Sequence, residues 1–437
     1  MTVVPTFPGV LQGEAAAEWL GGFPASTVRF PESPEDVAAL VGEARSEGRR
    51  LAPAGAGTWL AGGGWVREAD EVLSVRNLSS TLHYEPADLT LTVGAGMLWA
   101  DLEEMLGTHG QWLPLDPPGV GAGTVGGVVS TGASGSLRTA YGAVRDNVLG
   151  VHVVTGEGKR LALGGRVVKN VAGYDLVRLL TGSRGSLGVI TAVSLRLYPL
   201  PERDVTLRFR GAVPALVRAA REVACLPVPL ASIELDCGGE EQDDDGELLV
   251  RMVGSAAEVA AAAASVRETT GGHPCTGETV VEDSESRALH ALRTRWEGGS
   301  EWVIRCSALP ARLEHTVDAS LALAGALGGE ATAHVAQGVV RVRAGRDEAG
   351  PRQPSDTQGD GPQASALTTA LSTARKQLEV LGGRLRVTTS PPGWTGAALS
   401  PSPAVSSIQQ RIKALFDPGG VFGSEPPGGT GSGEGTR

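Results

Sequence analysis

Glycine is concentrated in three short runs between residues 53 and 188, and these runs constrain the fold more than any other feature of the sequence. They read PAGAG at 53–57, GVGAGTVGG at 119–127 and GSRGSLG at 182–188. Because glycine has no Cβ, such runs let backbone lie against a ligand or other backbone, and their amides can form a concavity for an anion. Each run alone is equally compatible with a plain tight turn. Together they suit a long ligand that carries a diphosphate.

The second run also has the spacing of a dinucleotide-binding fingerprint. Gly121, Gly123 and Gly126 are followed twenty residues later by Asp146. That fingerprint requires a buried strand leading into the first glycine. The preceding LPLDPPG contains two adjacent prolines, which cannot donate the hydrogen bonds of a central strand. We therefore interpret the run as an extended loop laid along a ligand rather than as a Rossmann turn.

Charge and cysteine usage exclude several classes of protein. The 38 basic residues against 49 acidic ones give a net charge of −11, which argues against a nucleic-acid surface and a polybasic membrane anchor. No run approaches the roughly 18 apolar residues of a membrane span, and the first residues lack a secretory signal. We expect a cytoplasmic protein. The four cysteines form no CxxC pair, which excludes a local iron–sulfur or zinc cassette.

Local patterns indicate how the chain is organised. Residues 34–47 predict an amphipathic helix, with Ser33 as its N-cap and Gly48 after its end. Prolines and a shift in composition mark a domain boundary near residue 203. The stretch 346–364 has no apolar period and is predicted to be a disordered insertion.

Three segments carry a resemblance to a known family. They are PAGAGTW at 53–59, GVGAGTVGGVVSTGASG at 119–135 and GRVVKNVAGYDLVRLLTGSRGSLGVITAVSLRLYPLP at 165–201. In this order they resemble the FAD-binding domain of the vanillyl-alcohol oxidase superfamily, also called the PCMH-type domain. Residues 169–188 are most similar to the glycolate oxidase and D-2-hydroxyacid dehydrogenase branch, and within it to the FAD-binding subunits of glycolate oxidases. The segment LFDPGGVF at 415–422 extends the resemblance.

The resemblance implies an α+β fold in which a PCMH-type FAD-binding domain of two subdomains precedes an α+β cap domain with an antiparallel sheet. The expected organisation is an N-terminal extension at 1–30, the FAD-binding domain at 31–203, a C-terminal FAD-linked oxidase-like domain at 204–422 that contains the 346–364 insertion, and a disordered tail at 423–437.

The resemblance also implies the residues that hold the cofactor. The flavin diphosphate, the path to the isoalloxazine and the ring itself are expected to contact Ala54, Gly55, Ala56, Gly57, Thr58, Pro117, Thr124, Val125, Gly126, Gly127, Ser130, Gly185, Gly188, Val189 and Ile190. Relatives that attach flavin covalently use a histidine in the first loop or a cysteine in the second, and both are lacking here. FAD is therefore expected to be bound without a covalent bond.

Two residues are candidates for a catalytic role. Arg305 lies in the apolar run SEWVIRCSALP, and an arginine turned into a domain needs an anion, either a substrate carboxylate or a structural Asp. Tyr174 lies in the most specific motif, together with Lys169, Asn170 and Asp175. The alternative interpretation is that Tyr174 packs under the flavin while Lys169 and Asp175 are solvated loop charges.

The chain departs from the family where catalytic relatives bind a divalent metal through a pair of histidines. At the comparable place it reads ATAHVAQGVVRVR, so His334 has no second histidine near it. No metal site is therefore expected. His334 is more simply interpreted as a structural residue.

These features lead to one function and two alternatives. The first is an FAD-binding subunit of a glycolate or D-2-hydroxyacid oxidase or dehydrogenase complex, which passes electrons from a 2-hydroxy acid through flavin to an iron–sulfur partner. It would work beside a catalytic flavoprotein subunit and could lie peripherally at the inner membrane through its partners. The alternatives are a self-sufficient FAD-dependent oxidase of an alcohol or sugar acid, and a non-catalytic subunit whose FAD is structural or relays electrons.

Overall fold

The computed structural model describes residues 7–60, 69–119, 123–165, 175–238, 245–295, 302–345, 362–390 and 403–423. Their contacts divide the chain into two compact units, one drawn from Met1–Ser134, Gly142–Leu200 and Pro392–Arg437, the other from Gly135–Tyr141 and Pro201–Pro391. Both units combine helices with strands, which confirms the α+β class.

The first unit contains most of the short elements. They are β1 (Val10–Gln12), α1 (Gly13–Leu20), β2 (Thr27–Arg29), α2 (Pro34–Glu47), β3 (Leu51–Ala54), β4 (Glu71–Ser74), β5 (Thr81–Glu85), β6 (Thr90–Gly94), α3 (Trp99–Gly107), β7 (Gln111–Trp112), α4 (Val125–Thr131), α6 (Val144–Asn147), β8 (Val148–Val154), β9 (Arg160–Gly164), α7 (Leu176–Leu180), β10 (Val189–Arg196), β11 (Tyr198–Pro199) and α13 (Pro403–Phe416). A further short helix, α5 (Arg138–Tyr141), belongs to the second unit.

Two main sheets organise the first unit. One has the order β1-β2-β4-β3, in which β4 pairs parallel with both β2 and β3. The other is antiparallel, with the order β5-β6-β10-β8-β9. Strand β3 ends where the first glycine run begins, and β10 begins where the third one ends. The sheets therefore fix one end of each of these two loops.

Helix α2 shows how local sequence determines an element. Its N-cap Ser33 accepts a hydrogen bond from the Asp36 amide at 3.1 Å, and Gly48 ends it with a φ of 69°. Val37 and Val41 are fully buried on its inner face. The predicted helix and both of its caps are confirmed, because the Ser side chain and the Cβ-free glycine satisfy the ends of the helix in the usual way.

Residues 403–423 pack in the first unit, although the sequence analysis grouped them with the second domain. The Leu51 amide donates to the Val421 carbonyl at 2.7 Å. Lys413 Nζ donates to the Ser186 carbonyl at 3.2 Å. These contacts with β3 and with the third glycine run return the C-terminal segment to the FAD-binding part of the chain, a long-range pairing that local sequence patterns do not reveal.

The second unit is built mainly around one sheet. Its remaining elements are β12 (Arg203–Ala212), α8 (Val213–Val223), β13 (Ser232–Asp236), β14 (Asp245–Gly254), α9 (Ala256–Thr270), β15 (Thr276–Glu282), α10 (Asp283–Arg295), β16 (Trp302–Ser307), α11 (Leu313–Leu327), β17 (Glu330–His334), β18 (Val339–Ala344), α12 (Pro362–Val380) and β19 (Arg384–Thr389). Helix α12 takes in the last three residues of the predicted insertion at 346–364, and the rest of that stretch lies outside the described residues, as does 424–437.

The sheet of the second unit is a duplication. The eight antiparallel strands run β15-β12-β14-β13-β17-β18-β16-β19. Each half follows the order βαββαβ, the connectivity of the ferredoxin-like motif, and the halves join where β13 pairs with β17. The predicted antiparallel sheet of the C-terminal domain is confirmed.

The two faces of this sheet differ in chemistry. Side chains alternate between the faces along each strand, and one face carries buried apolar residues such as Leu207, Val250 and Ile304. Helices α8, α9, α11 and α12 contact this sheet. The opposite face is polar, with Arg251 and Arg305 among its side chains, and α10 bonds to part of it. In the described part of the chain, no helix is long and apolar enough to cross a membrane.

Candidate functional site

A cleft lies within the first unit, and the empty space in it, open solvent included, is about 740 Å³. All three glycine runs contribute to it. The lining residues are Pro53, Ala54, Gly55, Ala56, Gly57, Thr58, Trp59, Leu60, Val75, Thr124, Gly126, Gly127, Ser130, Thr131, Arg184, Gly185, Gly188, Val189 and Ile190.

The first glycine run packs closely against the Thr124 side chain of the second run. The Ser74 hydroxyl donates to the Gly55 carbonyl at 2.7 Å. A Cβ on Gly55 would overlap the Thr124 side chain. The loop can therefore take this course only with glycine at position 55.

The second run enters helix α4 directly. Thr124 caps the helix by accepting a hydrogen bond from the Gly127 amide at 3.1 Å. The Gly126 amide donates to the Ala95 carbonyl at 2.8 Å, and a Cβ on Gly126 would lie 2.6 Å from the Ala95 Cβ. The start of the helix is thus pressed onto the turn that follows β6.

The third run closes the cleft from the opposite side. Gly185 has a φ of 76° and would place a Cβ 3.1 Å from the Pro53 ring. The neighbouring Arg184 amide donates to the Ser130 carbonyl at 2.7 Å. This run therefore contacts the first run and helix α4, which the second run enters.

The structure brings together all but two of the residues that the resemblance assigned to FAD. Val125 points into the hydrophobic core and is fully buried, and Pro117 is also buried without lining the cleft. These two side chains are buried in the protein and do not line the cleft. Direct contact of the others with the cofactor stays a prediction.

Sequence reasoning missed several lining residues, of which Trp59 and Arg184 stand out. A Cβ on Gly127 would lie 3.1 Å from Trp59 Cζ3, so the indole lies over the start of α4. Arg184 adopts a φ of 55°, which is rare for a residue with a side chain. Trp59 lies just after the first glycine run, and Arg184 lies within the third. Their position beside the glycines is the sequence signal that could have identified them.

The chemistry of the lining fits FAD. Among the described residues that line the cleft, none is Asp or Glu, and Arg184 supplies a cation. Small residues leave backbone amides accessible to an anionic diphosphate. Trp59, Val189 and Ile190 supply apolar surface for a flat ring system.

The dinucleotide fingerprint is not a Rossmann turn, as expected. Strand β7 ends at Trp112, and the described residues 113–119 contain no further strand. Asp146 lies on α6, where it accepts a hydrogen bond from the Ala143 amide at 2.9 Å and pairs with Arg178. It does not line the cleft, so it is not placed to bind a ribose there.

A cleft lined by glycine loops and by an arginine is typical of a site for an anionic, nucleotide-type cofactor. Residues 25–164 match the family described as FAD binding domain. The match supports FAD as the cofactor of this part of the chain.

Curated relatives extend the comparison beyond the matched domain. Glycolate oxidase subunit GlcE of Escherichia coli (strain K12) is 37% identical over 209 residues, covering 48% of this chain and 56% of that protein. Glycolate oxidase subunit GlcD of Bacillus subtilis (strain 168) is 36% identical over 36% of this chain and 33% of its own length. D-lactate dehydrogenase of Archaeoglobus fulgidus is 30% identical over a region that covers 63% of this chain and 64% of that protein. The chain thus spans between a third and two thirds of these relatives.

A solved structure shows the same fold at low sequence identity. An alkyldihydroxyacetonephosphate synthase superposes with a TM-score of 0.66 at 16% identity, covering 92% of this chain and 76% of that one. At this identity the similarity concerns the fold alone.

Of the two candidate catalytic residues, the structure describes Arg305 but not Tyr174. Tyr174 lies outside the described residues, as do Lys169 and Asn170, while Asp175 caps α7 by accepting the Arg178 amide at 3.0 Å. Arg305 lies half-buried on β16 in the second unit. Burial, and next to it the neighbouring arginines, lower the pKa of its guanidinium to about 10, so it stays charged at neutral pH.

His334 is buried at the end of β17, with 6% of its surface exposed. Burial, followed by the charge of Arg341, lowers the pKa of its imidazole to about 3, so the ring is neutral at physiological pH. Within the described ranges, no group of three or more His, Cys, Asp or Glu side chains could hold a metal ion.

We expect His334→Ala to leave flavin content and any activity within a few-fold of the parent, because a single imidazole is an incomplete ligand set. The check is flavin absorbance per protein, together with dye reduction by 2-hydroxy acids. His290→Ala is the comparison, because the His290 ring contacts Thr206 at 3.0 Å and Glu234 at 3.2 Å and its loss should lower the melting temperature. If His334→Ala lost its activity but kept its full flavin content, the result would show that this chain has a substrate site that depends on the histidine.

FAD should leave the protein completely on denaturation. The first loop at 53–59 contains no histidine and the second at 119–135 no cysteine, so neither offers the nucleophile for a flavin bond. Acid precipitation of the yellow protein should release all flavin absorbance into the supernatant. Colour that stays in a washed pellet would show a covalent attachment.

Proposed function

We propose that this chain is an FAD-dependent oxidoreductase that acts on 2-hydroxy acids as the FAD-binding subunit of a glycolate oxidase-type complex. The observation that carries the proposal is the cleft whose walls come from the family-matched segment and the third glycine run. The GlcE, GlcD and D-lactate dehydrogenase relatives support the substrate class. FAD, when bound, would accept a hydride from the carbon that bears the substrate hydroxyl.

The residues of the chain have separate roles in this proposal. The glycine runs hold the diphosphate and ring of the cofactor, and the packing of Gly126 on Ala95 keeps the loops at a fixed spacing. Arg305 would bind the substrate carboxylate, since a guanidinium matches a carboxylate with two parallel hydrogen bonds. Tyr174 remains a candidate from its motif alone.

An iron–sulfur partner is part of the proposal. The cysteines lie at 225, 237, 275 and 306, at least ten residues apart in sequence, and all four thiols are free. Burial raises the pKa of the Cys306 thiol to about 11 and that of Cys237 to about 12, so both are protonated core thiols at neutral pH. A second subunit would therefore supply the cluster.

A second candidate function is a subunit whose FAD only relays electrons or supports the fold. The observation that favours it is His334, whose buried, neutral ring has no group of metal ligands around it among the described residues. In that case a catalytic flavoprotein subunit would perform the substrate oxidation.

Steady-state assays separate these functions. The purified chain is supplied with a redox dye and with glycolate, D-lactate, D-2-hydroxyglutarate, or a panel of alcohols and sugar acids. The proposed function predicts dye reduction with 2-hydroxy acids only, and faster turnover when the complex is reconstituted. Activity solely with alcohols or sugar acids would support a self-sufficient oxidase, and activity that requires the catalytic subunit for every substrate would support the relay.

A further inference from the structure

Lys413 connects the C-terminal helix α13 to the third glycine run. Its ammonium group donates to the Ser186 carbonyl at 3.2 Å and to the Phe422 carbonyl at 3.0 Å, and it donates to Asp417 Oδ2 at 3.1 Å. The Lys413 side chain is 18% exposed and that of Asp417 is fully buried. One cation therefore holds two backbone carbonyls and a carboxylate that lie far apart in the sequence.

Asp417 orders the residues that follow α13. Its two carboxylate oxygens accept hydrogen bonds from the Val421 amide at 2.8 Å and from the Phe422 amide at 3.0 Å. Gly156, between β8 and β9, packs on the same carboxyl group, because a Cβ at that position would lie 2.8 Å from Asp417 Cγ. A buried carboxylate with these charge-assisted bonds fixes the path of the chain from 417 to 422.

The ordered segment pairs with β3, the strand that leads into the first glycine run. The Leu51 amide donates to the Val421 carbonyl at 2.7 Å, and the Gly423 amide donates to the Leu51 carbonyl at 2.9 Å. Two residues after Leu51, Pro53 meets Gly185 of the third run, where a Cβ would lie 3.1 Å from the proline ring. Residues 413–423, here called the C-terminal latch, therefore hold both partners of the contact between the first and third runs.

We propose that Lys413 is a positioning residue for FAD, which keeps the first and third glycine runs at the spacing that retains the cofactor. Pro53 and Gly185 line the cleft, whereas residues 413–423 do not. Lys413 therefore acts through the two runs and not by contact with the cofactor. Loops that are held in their binding arrangement lose less conformational freedom when a ligand binds, so the ligand leaves more slowly.

A purely structural role would be shared by other buried polar side chains of the first unit. Gln111 of β7 is 7% exposed. Its amide donates to the Pro86 carbonyl at 2.7 Å and accepts from the Tyr84 hydroxyl at 3.0 Å. Gln111 does not line the cleft. Gln111→Met is therefore a matched control for Lys413→Met, because both changes remove buried hydrogen bonds and introduce the same unbranched side chain.

The rate at which FAD leaves the full-length chain tests the proposal. FAD-loaded parent and variants are diluted well below their melting temperatures, and free flavin is followed by its fluorescence. We expect Lys413→Met to release FAD about tenfold faster than the parent or more, because three bonds of the latch are lost. Gln111→Met should release FAD at the parental rate, although its melting temperature also falls. Parental release from Lys413→Met, or faster release from both variants, would overturn the proposal.

A milder variant covers the case in which Lys413→Met does not fold. Asp417→Asn keeps the shape of the side chain but removes the charge that pairs with Lys413 and one of the two acceptors for the backbone amides. It should release FAD about threefold faster than the parent or more. Release at the parental rate would count against the latch.

Hydrogen exchange in the FAD-free protein locates the effect. The Leu51 amide bonds to the latch, whereas the Gly94 amide, at the end of β6 in the other sheet, donates to the Ser80 carbonyl at 2.9 Å. In Lys413→Met the Leu51 amide should exchange about tenfold faster or more, and the Gly94 amide should exchange as in the parent. Equal acceleration at both amides would show general destabilisation and reject a role specific to the glycine runs.

The role of Lys413 rests on the FAD of the proposed function but not on its substrate class, so the two ideas can fail separately. Flavin bleaching by 2-hydroxy acids together with parental FAD release from Lys413→Met would keep the function and reject the role of Lys413. Faster release from Lys413→Met alone, in a protein whose flavin no 2-hydroxy acid reduces, would keep the role and reject the function.

Discussion

Gly126→Val and Gly185→Val should each abolish FAD binding, with a loss of a thousandfold or more in affinity, about 4 kcal/mol. At position 126 the cause is steric, because the added Cβ would lie 2.6 Å from the Ala95 Cβ and push α4 off the turn it packs on. At position 185 the φ of 76° disfavours a β-branched residue, and the Cβ would also press on Pro53. Flavin absorbance per protein after purification, with equilibrium titration of the apoprotein, measures the loss.

Matched glycines in the same unit provide the controls. Gly42 lies on the outer face of α2 and Gly110 follows α3 with a φ of 63°, and neither would bring a Cβ within 4 Å of another atom. Gly42→Val controls for a β-branched residue in a helix, and Gly110→Val for backbone strain at positive φ. Both should keep their flavin. If Gly126→Val and Gly185→Val folded and kept full flavin occupancy, the cofactor could not be assigned to this cleft.

Arg251→Met should destabilise the second unit by about 3–5 kcal/mol, because it removes one partner of a buried ion pair and leaves the other charge unpaired. Asp204 and Arg251 are 1% and 5% exposed. The Ser286 hydroxyl also donates to Asp204 at 2.7 Å but cannot compensate a full charge. Urea unfolding followed by circular dichroism and by hydrogen exchange of β12 and β14 measures the change.

Two further variants make this test specific. Arg210→Met, on the exposed side of β12, should shift stability by no more than about 0.5 kcal/mol. The double variant Asp204→Leu with Arg251→Met should be less destabilised than Arg251→Met alone, because it leaves no unpaired charge. A double variant as unstable as the single one would mean that packing, rather than the ion pair, holds these strands together.

The sequence predicted features that depend on neighbouring residues. Helix α2 was bounded correctly because Ser33 and Gly48 satisfy its ends through bonds to residues three or four positions away. The rejection of the dinucleotide fingerprint also held, because two adjacent prolines act locally on the strand that the fingerprint requires. The prediction of a glycine-lined site drew on three separate runs, and the structure brings them into one cleft.

Features that depend on long-range pairing could not be predicted. Arg305 pairs with both Arg341 and Arg386 only because β16 lies between β18 and β19, and the register that aligns the three residues is not visible in any one strand. The return of 403–423 to the first unit likewise depends on hydrogen bonds between Leu51 and Val421. Side-chain direction was a further limit, since Val125 lies in the second glycine run but its side chain packs in the core.

The central claim is that FAD in this chain takes electrons from 2-hydroxy acids, and anaerobic titration of the purified flavoprotein tests it most directly. Glycolate, D-lactate and D-2-hydroxyglutarate are added in turn while the visible absorption of the bound flavin is recorded, with alcohols and sugar acids as controls and dithionite as the end point. We expect stoichiometric bleaching by at least one 2-hydroxy acid and none by the controls. Flavin that dithionite bleaches but every 2-hydroxy acid leaves oxidised would contradict it.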